Sequence, residues 1–299
     1  MDRVRPKALR EPVKPAVRPM IVAHRGASST VAEHTLAAYE EAIASGADAL
    51  ECDVRLTRDE HLVCVHDRTV NRTSNGRGVI SELDLPTLDT LDFSSWRGDL
   101  PASADLLLSD SPYHAGVAAD RIAGGGVLTL ELLLQLVHDA SRPIRLLIET
   151  KHPTRYAGLV EKTLVEALTR FGWAGRPGPP ESLREPANLD NRVVVMSFAT
   201  TAIRRVRLLA PDVPTVKLME RFNPQRRSGQ LPSAAQIAGP DLELLREYPD
   251  YVARAHAHGH PVYVWTVNDA ADARFVLGLG VDTIITDRPH EMRALVDRR

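Results

Sequence analysis

Apolar runs of strand length alternate along the chain with segments of helical periodicity. Eight runs have strand character, at residues 20–24, 47–56, 144–149, 192–198, 215–219, 236–240, 262–267 and 283–286. Helical patterns lie between them, at 33–45, 130–140, 156–171, 202–209, 248–258 and 270–279. This alternation predicts parallel strands joined by crossover helices, and eight strands predict a TIM (β/α)₈ barrel.

One segment departs from the repeat. Residues 59–126 contain a hairpin-like run at 61–66, the polar stretch NRTSNGRG and short irregular pieces instead of one crossover helix. We therefore expect a small insertion between the second strand and its helix. Residues 20–299 then form one barrel domain, and the basic, proline-rich residues 1–19 are expected to be a flexible leader.

Composition narrows the class of protein. Of the 299 residues, 43% are hydrophobic and 25% are charged, as in soluble globular domains. The net charge of −2 gives no indication of a nucleic-acid or anionic-membrane partner. The two cysteines, Cys52 and Cys64, do not suggest a disulfide framework, and no apolar stretch reaches the length of a membrane span. We expect a cytoplasmic protein without stable membrane insertion.

Two pairs of charged residues, each spaced two positions apart, end apolar runs. Glu51 and Asp53 lie in ADALECDVRL, and Glu149 and Lys151 lie in LLIETK. Residues i and i+2 of a strand point to the same face, so each pair should project together. Carboxylates are hard oxygen ligands, and the three of them predict a site for one divalent cation, Mg²⁺ or Ca²⁺.

A different reading of the same residues is a structural ion-pair network. Arg25, Arg55 and Lys151 could neutralise the carboxylates without any metal. We favour the metal site because three carboxylates at one barrel mouth exceed their expected counter-charges.

Histidine and arginine supply the remaining candidate chemistry. His24 and Arg25 end the first strand, and His66 ends the run LVCVHD. One histidine can act as general base and the other as general acid, as hydrolysis of a phosphodiester requires. Arg25 and Lys151 suit phosphate oxygens, and Trp265 could form an apolar wall for a glycerol-sized group.

These polar residues share one position in the predicted fold. All follow or end a strand, at the face where barrel enzymes build their active sites. The residues at strand ends are His24, Arg25, Glu51, Asp53, Glu149, Lys151, Ser197, Phe198, Trp265, Asn268 and Asp287. This agreement predicts an enzyme.

At these residues the sequence resembles the glycerophosphodiester phosphodiesterase family. The matching pieces occur in family order over nearly the whole chain, and together they are highly specific. They are AHRGA (23–27), EHT (33–35), GADALECDVRLTRD (46–59), LVCVHD (62–67), RTSNGRG (72–78), LLIETK (146–151), SF (197–198), WTVN (265–268) and ITDRP (285–289).

The resemblance implies a TIM barrel and hydrolysis of a glycerophosphodiester to an alcohol and sn-glycerol 3-phosphate. It implies general acid/base roles for His24 and His66 and phosphate contacts for Arg25 and Lys151. The metal ligands that it implies are Glu51, Asp53 and Glu149. The expected partner is a small-molecule glycerophosphodiester, and a homodimer is possible.

The sequence departs from the family pattern in two segments. The family often has Pro-Glu-Asn-Thr where this chain has Ala32-Glu33-His34-Thr35, and it usually has glycine where this chain has Glu60. Neither departure touches a predicted metal ligand, so we expect substrate preference, rather than activity, to be affected.

Three other functions are considered. A lysophospholipase D would cleave the same bond in acylated substrates and would need an apolar groove, for which Phe93, Trp96 and residues 106–108 are candidates. A glycoside hydrolase would also use paired carboxylates, but Arg25 and Lys151 favour an anionic substrate. A binding module without activity would lack an acid, a base or a ligand, and none is missing.

Overall fold

The computed structural model describes residues 18–98, 125–179, 181, 183 and 187–298. The predicted leader, apart from its last two residues, and the part of the insertion at 99–124 lie outside these ranges. Arg18, at the start of the described chain, pairs with Asp48 at 2.7 Å.

Within the described residues, nine strands form one sheet that curls into a barrel. Their bounds are β1 Met20–His24, β2 Ala49–Leu56, β3 Leu62–Cys64, β4 Arg145–Thr150, β5 Val193–Ser197, β6 Thr215–Met219, β7 Ile237–Pro240, β8 Tyr263–Val264 and β9 Thr283–Thr286. Eight are parallel neighbours in the order β7-β6-β5-β4-β2-β1-β9-β8. Parallel bridges from Ala238 to Val262 and from Asp241 to Trp265 connect the two ends of this order. The predicted TIM barrel is confirmed.

Helices cover the outside of the barrel. They are α1 Leu36–Ala44, α2 Leu85–Leu88, α3 Leu130–Asp139, α4 Leu159–Arg170, α5 Thr200–Leu209, α6 Pro224–Arg227, α7 Leu242–Glu247, α8 Tyr251–Ala257, α9 Ala270–Leu279 and α10 Pro289–Asp297. Side chains cap several of them: Thr35, Thr129 and Asp269 each accept a backbone N–H of the first turn. Within the described ranges, no helix has the length and apolarity needed to cross a bilayer.

Apolar side chains form two layers because successive strand residues point to opposite faces. The inward layer fills the barrel with residues such as Val22, Leu147 and Val194. The outward layer packs β2 and β4 against α1, α3 and α4 and includes Leu50 and Ile148. Glu51 and Asp53 alternate with outward-facing residues of β2, so their carboxylates belong to the inner face.

The predicted insertion after the second strand is also confirmed. β3 pairs antiparallel with the end of β2, where Val54 lies opposite Cys64. A short 3₁₀ helix, Ile80–Glu82, and α2 follow. The insertion has its own apolar core, which contains Val63, Val65, Val70, Ile80, Leu88, Phe93 and Val127.

Several predicted boundaries were wrong. The run at 248–258 is α8 alone, preceded by a separate helix, α7, and the strand at 262–267 is regular only at Tyr263–Val264. Helix α10 was not predicted. The strand predicted at 236–240 does form, as β7.

Candidate active site

The predicted site residues meet at the carboxyl ends of the barrel strands. One cavity at this end is lined by His24, Arg25, Glu51, His66, Glu149, Lys151 and Trp265. Asp53 lies beneath this cavity with its carboxylate 1% exposed. Residues that the sequence places up to 241 positions apart, from His24 to Trp265, therefore share one site.

Three carboxylates form the floor of the site. Oxygen atoms of Glu51, Asp53 and Glu149 lie within 4.8 Å of one another, and all three residues are buried. β2 and β4 are parallel neighbours with Asp53 opposite Glu149. This register places the carboxylates of the two strands side by side. Like charges at this separation repel one another unless a cation or a proton intervenes.

Two cations contact this cluster. Lys151 Nζ lies 2.9 Å from both Asp53 Oδ1 and Glu149 Oε1, and Arg25 Nε lies 3.1 Å from Asp53 Oδ2. The Arg25 backbone N–H donates to Glu51 Oε2 at 3.0 Å. Arg55 does not extend the network, since its guanidinium donates to the carbonyl oxygen of His66. Three carboxylates therefore contact two cationic side chains, one of which, Arg25, also pairs with Glu33.

The pKa values of the three carboxyl groups diverge. Burial, reinforced by the charge of Asp53, raises the pKa of Glu51 well above its ordinary value. The same two causes raise the pKa of Glu149 to about 7. Burial also acts to raise the pKa of Asp53, but the hydrogen bond from His34 and the charge of Lys151 outweigh it and hold this pKa low. The cluster is therefore short of positive charge, and hard oxygen donors in this state suit Mg²⁺ or Ca²⁺.

His24 is oriented by an aspartate from the opposite end of the chain. Its Nδ1 lies 2.6 Å from Asp287 Oδ1, which follows β9, and Asp287 also accepts from Ser28 Oγ and Asn268 Nδ2. Burial acts to raise the pKa of Asp287, but these partners, led by His24, lower it to about 2. An ionised Asp287 requires a hydrogen on Nδ1 of His24, so Nε2 is the nitrogen available for proton transfer.

His66 has a similar partner in the insertion. Its Nδ1 lies 2.8 Å from Asp67 Oδ1, and Arg72 holds Asp67 Oδ2 at 2.8 Å. Burial, together with the charges of Arg25 and Lys151, lowers the pKa of His66 to about 4. At neutral pH the ring is uncharged, so it can accept a proton.

His34, one of the two departures noted above, lies under the site. Its Nε2 is 3.0 Å from Asp53 Oδ2 and its Nδ1 is 2.8 Å from Tyr39 Oη. Burial lowers the pKa of His34. Because the Asp53 carboxylate can only accept, Nε2–H of His34 donates to it, while the Tyr39 hydroxyl donates to the Glu51 carbonyl oxygen at 3.1 Å. The backbone of His34 has φ 59°, a left-handed conformation that asparagine and histidine tolerate better than most residues.

Arg72 joins the barrel to the insertion. Its guanidinium contacts both Glu33 oxygens at 2.8 Å as well as Asp67, and it lies 5.5 Å from the centre of the Trp96 ring. Sequence reasoning did not assign this role, although Arg72 lies in the motif RTSNGRG. It also missed Tyr39, whose place in a helical apolar pattern indicates only burial.

Trp265 forms one wall of the cavity. Its indole N–H donates to the Gly239 carbonyl oxygen at 2.9 Å, and its ring meets Phe198 edge-on with centroids 5.6 Å apart. The hydrogen bond fixes the plane of the ring, so the two aromatic residues present an apolar surface beside the charged floor.

Comparisons with known proteins agree on the family. The sequence model described as "Glycerophosphoryl diester phosphodiesterase family" matches residues 24–291. A Mycobacterium tuberculosis protein called "Probable glycerophosphodiester phosphodiesterase 1" is 42% identical over 283 residues, which are 94% of each chain. A Bacillus subtilis glycerophosphodiester phosphodiesterase is 31% identical over 277 residues, which are 91% of this chain and 84% of the relative.

Solved structures share the fold. A phosphodiesterase from Oleispira antarctica, in complex with the product sn-glycerol-3-phosphate, has a TM-score of 0.71 at 22% identity, covering 93% of this chain and 97% of that one. A glycerophosphodiester phosphodiesterase from Agrobacterium tumefaciens has a TM-score of 0.67 at 23% identity, covering 92% and 99%. At these identities the likeness concerns the fold, whereas the sequence matches over most of the chain concern the family. The chain belongs to the glycerophosphoryl diester phosphodiesterase family of hydrolases.

Proposed function

We propose that this chain hydrolyses glycerophosphodiesters to an alcohol and sn-glycerol 3-phosphate with the help of one divalent cation. The observation that carries the proposal is the position of two histidines, each oriented by an aspartate, at a cavity above three buried carboxylates. Membership of the family and the product bound by the Oleispira antarctica relative support the same reaction.

Glu51, Asp53 and Glu149 would hold the cation, since their oxygens are close, hard donors with too few counter-charges. A bound divalent cation would supply positive charge beside the phosphate and withdraw electron density from its oxygens. Arg25 and Lys151 would bind the phosphate oxygens, and Trp265 would pack against the glycerol carbons.

The two histidines would divide the proton transfers. His66, uncharged at neutral pH, accepts a proton from the attacking oxygen. His24, whose Nδ1 is held by the Asp287 carboxylate, donates a proton to the departing alcohol from Nε2. The phosphorus–oxygen bond to that alcohol breaks as the new bond forms.

An acylated substrate is less well supported. Phe93, one candidate for an apolar groove, is buried in the core of the insertion, and Trp96 lies against the guanidinium groups of Arg72 and Arg97. Residues 106–108 lie outside the described residues. We retain a cytoplasmic location as a proposal, supported by two cysteines that are buried and unpaired.

The test is release of glycerol 3-phosphate from glycerophosphocholine, after chelation and after restoring Mg²⁺ or Ca²⁺. Activity should vanish with chelation and return with the metal. Glu51→Gln should weaken metal binding and activity together by more than about 100-fold, since a direct ligand should matter more than an outer-shell partner. Glu166→Gln, on the exposed face of α4, is the matched control and should change neither. Activity that survives chelation would refute the metal requirement, and absence of product with both ions would refute the reaction.

A further inference from the structure

A second cavity, of about 470 Å³, opens beside the site between the insertion and the segment after β4. Its apolar wall includes Leu56, Ile80 and Val160. We call it the basic cavity because its charged lining residues, within the described part of the chain, are Arg55, Arg68, Lys151 and Arg155 with Glu82 as the one carboxylate.

The cationic side chains of the basic cavity differ in whether they contact a carboxylate or a neutral group. Lys151 is held by Asp53 and Glu149 on the site side. Arg55 donates to the carbonyl oxygen of His66, which is neutral, and Arg155 donates to the carbonyl oxygen of Ser81 at 3.4 Å. Among the described residues, none of the three guanidinium groups that line the cavity, those of Arg55, Arg68 and Arg155, forms an ion pair.

Arg68 and Arg155 are exposed, and Arg55 is half-buried. The three guanidinium groups line the cavity where a phosphate can reach them, and a charge-assisted hydrogen bond from a guanidinium to a phosphate oxygen is strong. The basic cavity therefore has the electrostatics of an anion site.

The basic cavity continues the substrate path. Lys151 lines both cavities, so a phosphate bound at Lys151 in the active site lies next to the entrance of the basic cavity. The alcohol esterified to that phosphate can extend past the apolar wall toward Arg68 and Arg155. A guanidinium presents a planar fork that matches phosphate oxygens.

We propose that the basic cavity is a subsite for a second phosphate carried by the leaving alcohol, so that the preferred substrates are glycerophosphodiesters with a phosphorylated alcohol. This inference rests on the proposed hydrolysis. It adds the substrate class, which neither the family nor the site residues specify.

The experiment compares two substrates that differ only in that phosphate. One is glycerophosphoglycerol, and the other carries a phosphate monoester on the leaving glycerol. The wild-type protein should show the higher kcat/KM on the phosphorylated substrate. Arg68→Ala and Arg155→Ala should each lower that value about tenfold and leave kcat/KM on glycerophosphoglycerol unchanged, since each removes one charge-assisted contact. Arg77→Ala is the matched control, because Arg77 is an exposed arginine of the same insertion outside the cavity lining.

Three results would overturn the subsite. Equal losses on both substrates would mean that the two arginines support the fold or the active site. No loss on either substrate would mean that the cavity does not contact the alcohol. Inorganic phosphate that inhibits both substrates equally, with inhibition relieved by Arg68→Ala, would mean that the cavity takes a free anion. If the wild-type protein cleaves neither substrate, the proposed hydrolysis fails instead.

Discussion

The two histidines of the site lie on parts of the molecule that are built differently. His24 belongs to what we call the strand half, together with Glu51, Asp53, Glu149 and Asp287. His66 belongs to the insertion half, together with Asp67 and Arg72. The His24 side chain is 17% exposed and that of His66 is 35% exposed.

The partners differ as well. Asp287 reaches His24 across 263 residues and is fixed by Ser28 and Asn268, whereas Asp67 is the next residue after His66 and is fixed by Arg72. The strand half is thus built by barrel closure. The insertion half is built by local chain geometry, and Arg72 pairs its Asp67 with Glu33 of the barrel. Both give a histidine whose Nδ1 faces a carboxylate.

The largest effect is expected when either histidine is replaced. His24→Ala and His66→Ala should each lower kcat about 10²–10⁴-fold, because each removes a proton-transfer group. Circular dichroism should show an intact fold in both, and His61→Ala, at an exposed histidine of the β2–β3 turn, should retain full activity. A loss below about tenfold for either variant would remove that histidine from acid/base chemistry.

The next largest effect concerns His34 in the strand half. His34→Ala should weaken Mg²⁺ binding about 10–100-fold, since Asp53 loses the donor that orients its carboxylate. His34→Asn should bind Mg²⁺ more tightly than the alanine variant, because asparagine keeps a polar group and tolerates a φ of 59°. Isothermal titration calorimetry measures both. Equal affinity of the alanine variant and the wild type would show that His34 does not position Asp53.

Detaching the insertion half should have a moderate effect. Arg72→Met removes the ion pairs to Glu33 and Asp67 while keeping much of the side-chain volume. We expect kcat to fall about tenfold, as the loss of one tightly held charge pair is of order 1.4 kcal/mol. Limited proteolysis should cut the insertion faster than in the wild type. Arg77→Met is the control, and an Arg72→Met variant with wild-type kcat would contradict the link.

Low pH should destabilise the fold through both the strand half and the insertion half. The pKa values of Asp287 and Asp67 are about 2 in the folded protein, below the unfolded value near 3.9. Each ionised carboxylate therefore stabilises the fold above about pH 4, and that contribution disappears as the pH falls toward 2. Urea unfolding between pH 5 and pH 2 measures the loss. Asp287→Asn and Asp67→Asn should each reduce the loss of unfolding free energy between pH 5 and pH 2 by about 1 kcal/mol. An unchanged pH dependence in either variant would show that its aspartate is not stabilised by its histidine.

The smallest expected effect lies in the turn that starts the insertion. Glu60 has φ 67°, a left-handed conformation that costs a residue with a Cβ. Glu60→Gly should raise the free energy of unfolding by about 0.5–1 kcal/mol and leave kcat unchanged. Glu60→Ala, which keeps the Cβ, should bring no such gain, and equal stability of the two variants would refute the strain.

The cluster of three carboxylates could be predicted because a strand has a fixed side-chain period. Glu51 and Asp53 must point to one face, and the eight-strand pattern places Glu149 on a strand that ends at the same mouth. The pairing of His24 with Asp287 could not be predicted, since both residues mark strand ends but only barrel closure decides which ends touch. The hydrogen-bonded series Asp53, His34 and Tyr39 could not be predicted for another reason. The sequence of α1 indicates that Tyr39 is buried, but it does not indicate where the hydroxyl of Tyr39 points.

Errors in the predicted secondary structure have the same cause, because these elements also depend on tertiary contacts. The strand at 262–267 was predicted from its apolar pattern, yet only Tyr263–Val264 form a regular ladder, with β9. Val262 and Trp265 are held by single bridges to Ala238 and Asp241. Helix α10 was not predicted because Pro289–Asp297 is rich in charged residues. Its few apolar residues, such as Met292 and Val296, show a buried face only when the helix is packed against β1 and its neighbours.

The separation of 263 residues between His24 and Asp287 has a consequence for the order of assembly during synthesis. Glu51, Asp53 and His66 come from one early stretch of β2 and its hairpin, so their contacts are available as soon as that stretch has formed. The aspartate that orients His24 arrives with β9, which pairs with β1. A nascent chain that has not yet emerged to β9 therefore has the carboxylates of β2 but no oriented His24, which gains its aspartate partner only when β9 docks beside β1.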